Sequence, residues 1–326
     1  MTRSTVPIPV VLDTDIGGDI DDTWALAMLL RCPELEPRLV LTAIGDTTYR
    51  ARVAAGILAA AGREEVPIGI GPATELPLGL PEVTVQPQQA LADATDLSSY
   101  AGSVRTDGIE ALVECIMESP EPVTVIAIAP LTNIAAALAL EPRITQNARL
   151  VAMLGSIRKG LFGAPEPAPE WNVMADVPAC RAALAADWEV TITPLDSCGR
   201  VYLDGERYAA IQRATDPLLE AVMRTYREWA EAVGKAEAAE FVGIEPQIYG
   251  PQMYTSNSSV LFDTVAVYLA YEESLLEIEP LPIAIEADGM MRVSAGAPVV
   301  RVAMGLRAEG FLDHLTRQLT VGHGET

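Results

Sequence analysis

Short apolar runs that end in polar residues, each followed by a helix-forming stretch, recur along this chain. Val10-Val11-Leu12 runs into aspartates and then into Thr23 to Leu30. Leu39 to Ile44 runs into the Gly45-Asp46 turn, and Arg50 to Ala61 is Ala-rich and helical. Val66 to Gly71 is another short strand-like run. Val123 to Ala129 leads to a turn at Pro130 to Asn133 and a helix from Ile134 to Leu140. Arg149 to Leu154 ends at Gly155, Val177 to Ala186 reads as helix, and Glu189 to Thr193 ends at Pro194-Leu195-Asp196. Strands alternating with helices need crossover connections, and right-handed crossovers put helices on both faces of a parallel sheet. The predicted fold is therefore α/β, an open, mostly parallel twisted sheet covered on both faces. Gly155 to Trp171 is rich in Gly and Pro and reads as a long functional loop. Asp216 to Glu240 reads as a charged helix, a final helix starts near Asp263, and Ile283 to Val302 reads as small antiparallel strands. Residues 200–326 are thus expected to be mostly helical with small antiparallel strands. No repeat or linker divides the chain, so a single domain over 1–326 is expected.

The bulk properties exclude several function classes. Net charge is −23, and no basic run is available to displace counterions from phosphates. A nucleic-acid partner and an anionic membrane surface are both disfavoured. The longest charge-free run, Pro122 to Leu140, is interrupted by Pro130, Thr132 and Asn133, so it is not a membrane span. Cys32, Cys115, Cys180 and Cys198 form no CxxC pair, and only His314 and His323 add imidazole, so a zinc site is disfavoured. Scattered cysteines in a chain of 326 residues fit reduced core positions of a cytoplasmic protein. The apolar stretch at the N-terminus is too short for a secretory signal.

Polar residues collect where the strands end: Asp13, Asp15, Asp19, Asp21 and Asp22, then Asp46, then Thr132 and Asn133, then Asp196. Open parallel sheets bind ligands at the carboxyl ends of their strands. One Asp is enough to cap a helix or make a turn. Five within the ten residues from 13 to 22 repel one another unless a cation neutralises them. Carboxylates without imidazoles or thiolate pairs favour a hard ion, Ca²⁺ or Mg²⁺. No GxxxxGK[ST] or GxGxxG pattern is present, and Gly17 comes too early for an EF-hand loop.

Asp13-Thr-Asp15-Ile-Gly17 followed by Asp21-Asp22-x-x-Ala25-Leu26 resembles the N-terminal signature of the inosine–uridine-preferring nucleoside hydrolases. Ala129-Pro-Leu-Thr-Asn-Ile-Ala135 with Glu141-Pro142 is similar to that family's central strand–turn–helix. Glu170-Trp-Asn172-Val with Asp176, and Leu261-Phe-Asp263-x-x-Ala266-Val, are similar to its two later motifs. The resemblance implies an enzyme that hydrolyses the N-glycosidic bond of ribonucleosides with Ca²⁺ at the base of its pocket. It implies metal ligation by Asp15, Asp22, the backbone carbonyl of Ile128 and Asp263, with Asp15 also acting as general base. It implies that Asp21, Glu170, Asn172 and Asp46 grip the ribose. It also implies a small-molecule nucleoside substrate from purine or pyrimidine salvage and a homodimer or homotetramer.

Two features depart from the family pattern. The loop from Asp15 to Asp21 is two residues longer than the usual D-x-x-x-D-D form and carries Asp19. Asp19 replaces a ligand, supports the ligands from outside, or only terminates the loop. The histidine that precedes the last aspartate in well-known members is Phe262 here. Unless His314 or His323 folds back, no imidazole protonates the leaving base. Trp171, Phe262, Tyr249 and Tyr254 are then candidate leaving-group contacts, and Trp229 is a further aromatic that reads equally as core. The same chemistry on a modified ribosyl compound, and a non-catalytic Ca²⁺- or ribose-binding homologue, are the alternatives.

Overall fold

The computed structural model describes residues 6–74, 86–235 and 253–320. Its strands are β1 (Ile8–Thr14), β2 (Leu35–Thr42), β3 (Ile68–Ile70), β4 (Val104–Arg105), β5 (Val123–Ala127), β6 (Ala148–Met153), β7 (Val190–Thr193), β8 (Leu276–Ile285), β9 (Met291–Val293) and β10 (Val299–Leu306). The early helices are α1 (Asp21–Arg31), α2 (Thr47–Ala60), α3 (Gln89–Asp93), α4 (Gly108–Met117) and α5 (Thr132–Leu140). They are followed by α6 (Trp171–Ala175), α7 (Val177–Ala185), α8 (Leu195–Cys198), α9 (Gly205–Arg213), α10 (Pro217–Lys235), α11 (Thr264–Leu269) and α12 (Ala308–Thr320).

All ten strands join one sheet in the order β4-β3-β2-β1-β5-β6-β7-β10-β8-β9. Every pairing from β4 through to β10 is parallel, and β8 pairs antiparallel with both β10 and β9. The alternation along β1 shows why both faces are covered. Val10 and Leu12 enter the core beneath α1, α2, α10, α11 and α12, while Val11 enters the core beneath α4, α5 and α7. The expected open, mostly parallel α/β sheet with helices on both faces is what the chain forms.

Two expectations need correction and a third is extended. The final helix is α12, not the one after Asp263, because the charged stretch from Ala308 carries a second apolar stripe, Phe311, Leu312, Leu315 and Leu319, that packs into the core. The tail strands do pair antiparallel as expected, β8 with both β10 and β9, and β10 in addition pairs parallel with β7 and so extends the main sheet. The turn expected at Thr132 and Asn133 is the first turn of α5. The short strand β4 and helix α4 have no counterpart in the sequence reading. Among the described residues, no helix is long and apolar enough to cross a membrane.

Candidate active site

The strand order reverses between β1 and β5. From β1 the chain proceeds outward to β4, then returns to lay β5 against the other side of β1. Such a switch point opens a crevice at the carboxyl ends of the two strands. The acidic loop leaves β1 there, and Ile128 lies one residue beyond β5 with its N–H on the Asp13 carbonyl at 2.8 Å. Gly17 has φ +99°, and a Cβ there would stand 2.6 Å from the Tyr49 ring. Only glycine lets the loop pass so close to α2.

Asp21, Asp22 and Asp263 converge in this crevice, each offering a carboxylate oxygen within 4.8 Å of the others. Asp21 and Asp22 open α1, and Asp263 precedes α11, which packs beside α1. All three are buried. Burial pushes all three carboxyls well above the usual range, and neighbouring carboxylates, Asp15 among them for each, raise them further. Thr14 Oγ1 donates to Asp22, while the carboxylates of Asp21 and Asp263 lie against each other. Hard oxygen donors, buried together with little positive charge to offset them, match a hard divalent cation.

Asp15 is only partly buried, unlike Asp13, Asp21 and Asp22. It lies outside the tight trio but within its field. Burial raises its pKa, against the opposing charge of Arg50 and a hydrogen bond from the Trp171 side chain. Trp171, a candidate leaving-group contact, thus has its indole N–H turned to Asp15. Trp171→Phe keeps the ring and removes that donor. A hydrogen bond to a charged group contributes roughly 1.5–3 kcal/mol, so kcat/KM should fall about tenfold or more. Steady-state kinetics test this, and an unchanged kcat/KM would remove Trp171 from the support of Asp15.

Glu170 is the N-cap of α6 and is buried. Its carboxylate accepts from the backbone N–H groups of Asn172 (2.8 Å), Gly155 (2.9 Å) and Val173 (3.3 Å). Burial nevertheless pushes its pKa up to about 7. Asn172 Nδ2 donates to the Met153 carbonyl at 3.1 Å and reaches the Ile128 carbonyl at 3.4 Å. Both residues therefore face the carboxyl ends of β5 and β6. Glu170→Ala would strand three amides and should destabilise the fold by about 1–3 kcal/mol, read as a shift in the urea midpoint at unchanged m.

Asp13 supports the site from beneath. It is fully buried and accepts from Asn133 Nδ2 at 2.8 Å, and burial pushes its pKa up to about 7. Asn133 also donates to the Thr42 carbonyl at 3.1 Å, tying the ends of β1 and β2 together. Asp46 is exposed and caps α2 through the N–H of Tyr49 at 2.9 Å. Asp19 is exposed and accepts from the N–H of Ile20 at 2.7 Å. Asp196 receives the N–H groups of Ile157, Arg158 and Lys159, so it shapes the loop after β6.

The aromatic candidates separate. Trp229 is core, stacked on Tyr226 at 6.0 Å. Phe262 is half-buried against the core beside Asp263. Tyr254 lines a surface cavity with Gln212, Met223 and Arg227, and the Arg227 guanidinium lies over its ring at 5.8 Å. Tyr249 and His323 lie outside the described residues. His314 does not fold back to the crevice. Its Nε2 meets Tyr271 Oη at 2.6 Å, near Cys32, which follows α1. That is the far end of an eleven-residue helix, about 16 Å from the acids that open it.

Comparisons with known proteins agree with this geometry. A non-specific ribonucleoside hydrolase, RihC, of Klebsiella pneumoniae strain 342 is 30% identical over 243 residues, covering 70% of this chain and 75% of that protein. RihC of Klebsiella pneumoniae subsp. pneumoniae is 26% identical over 332 residues, covering 93% and 95%. The solved structure of a plant nucleoside hydrolase, PpNRh1, superposes with a TM-score of 0.76 at 21% identity, covering 97% of this chain and all of that one. The family model described as inosine-uridine preferring nucleoside hydrolase matches residues 10–313. With a family match over nearly its whole length and the acidic crevice in place at the switch point, the chain belongs to the inosine–uridine preferring nucleoside hydrolase family and is a glycosidase.

Proposed function

We propose that the chain is a Ca²⁺-dependent hydrolase of the N-glycosidic bond of ribonucleosides. The convergence of buried Asp21, Asp22 and Asp263, with the more open Asp15 within their electrostatic reach, supports this reading. Asp15, Asp22, Asp263 and the Ile128 carbonyl would hold the ion, and Asp21 would reach the sugar. When bound, the ion lowers the pKa of a coordinated water. Asp15 removes one proton from the attacking water, and the water oxygen bonds to the anomeric carbon as the C–N bond breaks. The base departs with the bonding pair and takes up a proton. Positive charge develops on the sugar in such a reaction, and the surrounding carboxylates stabilise it. Asp21, Asp46, Glu170 and Asn172 would hold the sugar hydroxyls, and a missing hydroxyl would leave buried groups unpaired.

A panel of ribonucleosides incubated with Ca²⁺ tests the reading through release of reducing sugar. No release from any nucleoside by folded, Ca²⁺-loaded protein would overturn it. Phe262 at the place of the family's histidine favours a second reading, the same chemistry on a modified ribosyl compound. The same panel, extended to such compounds, separates the two. The four free cysteines support a cytoplasmic setting. A homodimer or homotetramer is the expected assembly, and light scattering would measure it.

A further inference from the structure

The loop that carries the acids lies outside the sheet and is held within itself only by short-range bonds, such as Gly18 N–H to the Asp15 carbonyl at 3.4 Å and Ile16 N–H to Thr14 Oγ1 at 3.0 Å, yet it must place Asp15, Asp21 and Asp22 within a narrow space. Three side chains from outside hold its backbone. Arg50, buried on α2, donates through one terminal nitrogen to the carbonyls of Asp15 and Ile16, the latter at 3.1 Å. Its Nε donates to the Ile44 carbonyl at 2.7 Å. Tyr49 Oη donates to the Gly17 carbonyl at 3.0 Å and accepts from the N–H of Gln88 at 3.1 Å. Gln88, fully buried, reaches the Asp19 carbonyl with its amide nitrogen at 3.4 Å and accepts from Thr23 Oγ1 at 2.9 Å. Carbonyls 15, 16, 17 and 19 are thus each met by a side chain, and these span the lengthened part of the loop.

Ile44 gives an independent sign that this arrangement is imposed. It is a β-branched residue at φ +52°, a conformation that costs about 1–3 kcal/mol and persists only where its surroundings enforce it. The Arg50 Nε bond fixes the carbonyl of that residue. Arg50 therefore ties the strained turn after β2 to the acidic loop after β1.

We propose that Arg50 and Tyr49 are positioning residues that clasp the lengthened loop and so hold the carboxylates in a cation-binding arrangement. The proposal rests on the hydrolase reading of the same site. It also separates two roles for Arg50. A guanidinium acting only as a nearby positive charge would repel a divalent cation, so its removal would tighten Ca²⁺ binding. A guanidinium acting as a clasp would, on removal, loosen the loop and weaken Ca²⁺ binding. Groups that orient metal ligands from behind typically contribute 10–100-fold in affinity.

Arg50→Met, Arg50→Lys and Tyr49→Phe are the variants. Two measurements apply to each: amide hydrogen exchange of the peptide covering residues 15–22 without metal, and calorimetric Ca²⁺ titration. The expected results are at least tenfold faster exchange in that peptide, with distant core peptides unchanged, and about tenfold weaker Ca²⁺ binding in Arg50→Met and Tyr49→Phe. Arg50→Lys should restore part of the affinity, because an ammonium still reaches the Asp15 and Ile16 carbonyls. Unchanged exchange in that peptide, or tighter Ca²⁺ binding in Arg50→Met, would overturn the clasp. Tyr49→Phe removes one oxygen and decides the matter if Arg50→Met does not fold. If the wild type neither binds Ca²⁺ nor releases sugar, the hydrolase reading fails while the exchange experiment still decides the clasp.

Discussion

Asp15→Asn should lower kcat by about a thousandfold while leaving the protein folded. Asparagine has the same shape and can still accept the Trp171 hydrogen bond through its amide oxygen. The Arg50 contacts go to the backbone carbonyls of Asp15 and Ile16, so the loop keeps its path. What asparagine lacks is the capacity to take a proton from water. A positioned general base contributes roughly 10²–10⁴ in rate. The amide also gives weaker ligation than a carboxylate, so kinetics should be run at saturating Ca²⁺ to separate lost chemistry from lost metal. Retention of more than a tenth of the wild-type kcat under those conditions would remove Asp15 as the base.

Metal-free protein should lose stability as pH rises from 5 to 8, and Ca²⁺ should reverse that loss. Burial pushes the Asp13 and Glu170 carboxyls up to about 7, whereas unfolded carboxyls titrate near 4. Between those values the unfolded chain binds fewer protons than the folded one. Stability must then fall with rising pH across that window, with no cost below about pH 4 and the full cost above about pH 7. The raised carboxyls of Asp21, Asp22 and Asp263 add to the same trend. A cation that binds only the folded state at one hundred times its Kd adds about 2.7 kcal/mol. It displaces protons from its ligands, so the gain should be larger at pH 8 than at pH 5. Calorimetric melting in EGTA and in excess Ca²⁺, at both pH values, measures this directly. A Ca²⁺ gain equal at the two pH values would remove these carboxylates from the ion's binding site.

Much of this was legible before the fold was known, for local reasons. Val10-Val11-Leu12 could only be a buried strand, and its run into Asp13 placed the acids at a strand end. The same logic set a strand over Val123 to Ala129, while Ile128 was singled out only by the resemblance. Asp263 was legible only through its motif, since nothing local marks it apart from any other helix-opening acid. Other assignments depended on packing. Trp171 read as a candidate leaving-group contact, yet its indole N–H serves Asp15. Arg50 read as the start of a helix, yet it holds the backbone carbonyls of Asp15 and Ile16 and its Nε fixes the carbonyl of a strained Ile44. Gln88, sixty-five residues from Thr23, had no signal at all.

Strand and helix type, the parallel sheet and the crowding of carboxylates followed from the chain alone, because hydrophobic period and charge spacing act over a few residues. Which carboxylates meet was decided by the tertiary structure. The reversal of strand order beside β1 and the packing of α11 against α1 bring Asp263 to Asp21 and Asp22 from more than two hundred residues away. Their burial there, reinforced by the charge of neighbouring carboxylates, raises their pKa values and makes a cation the natural complement.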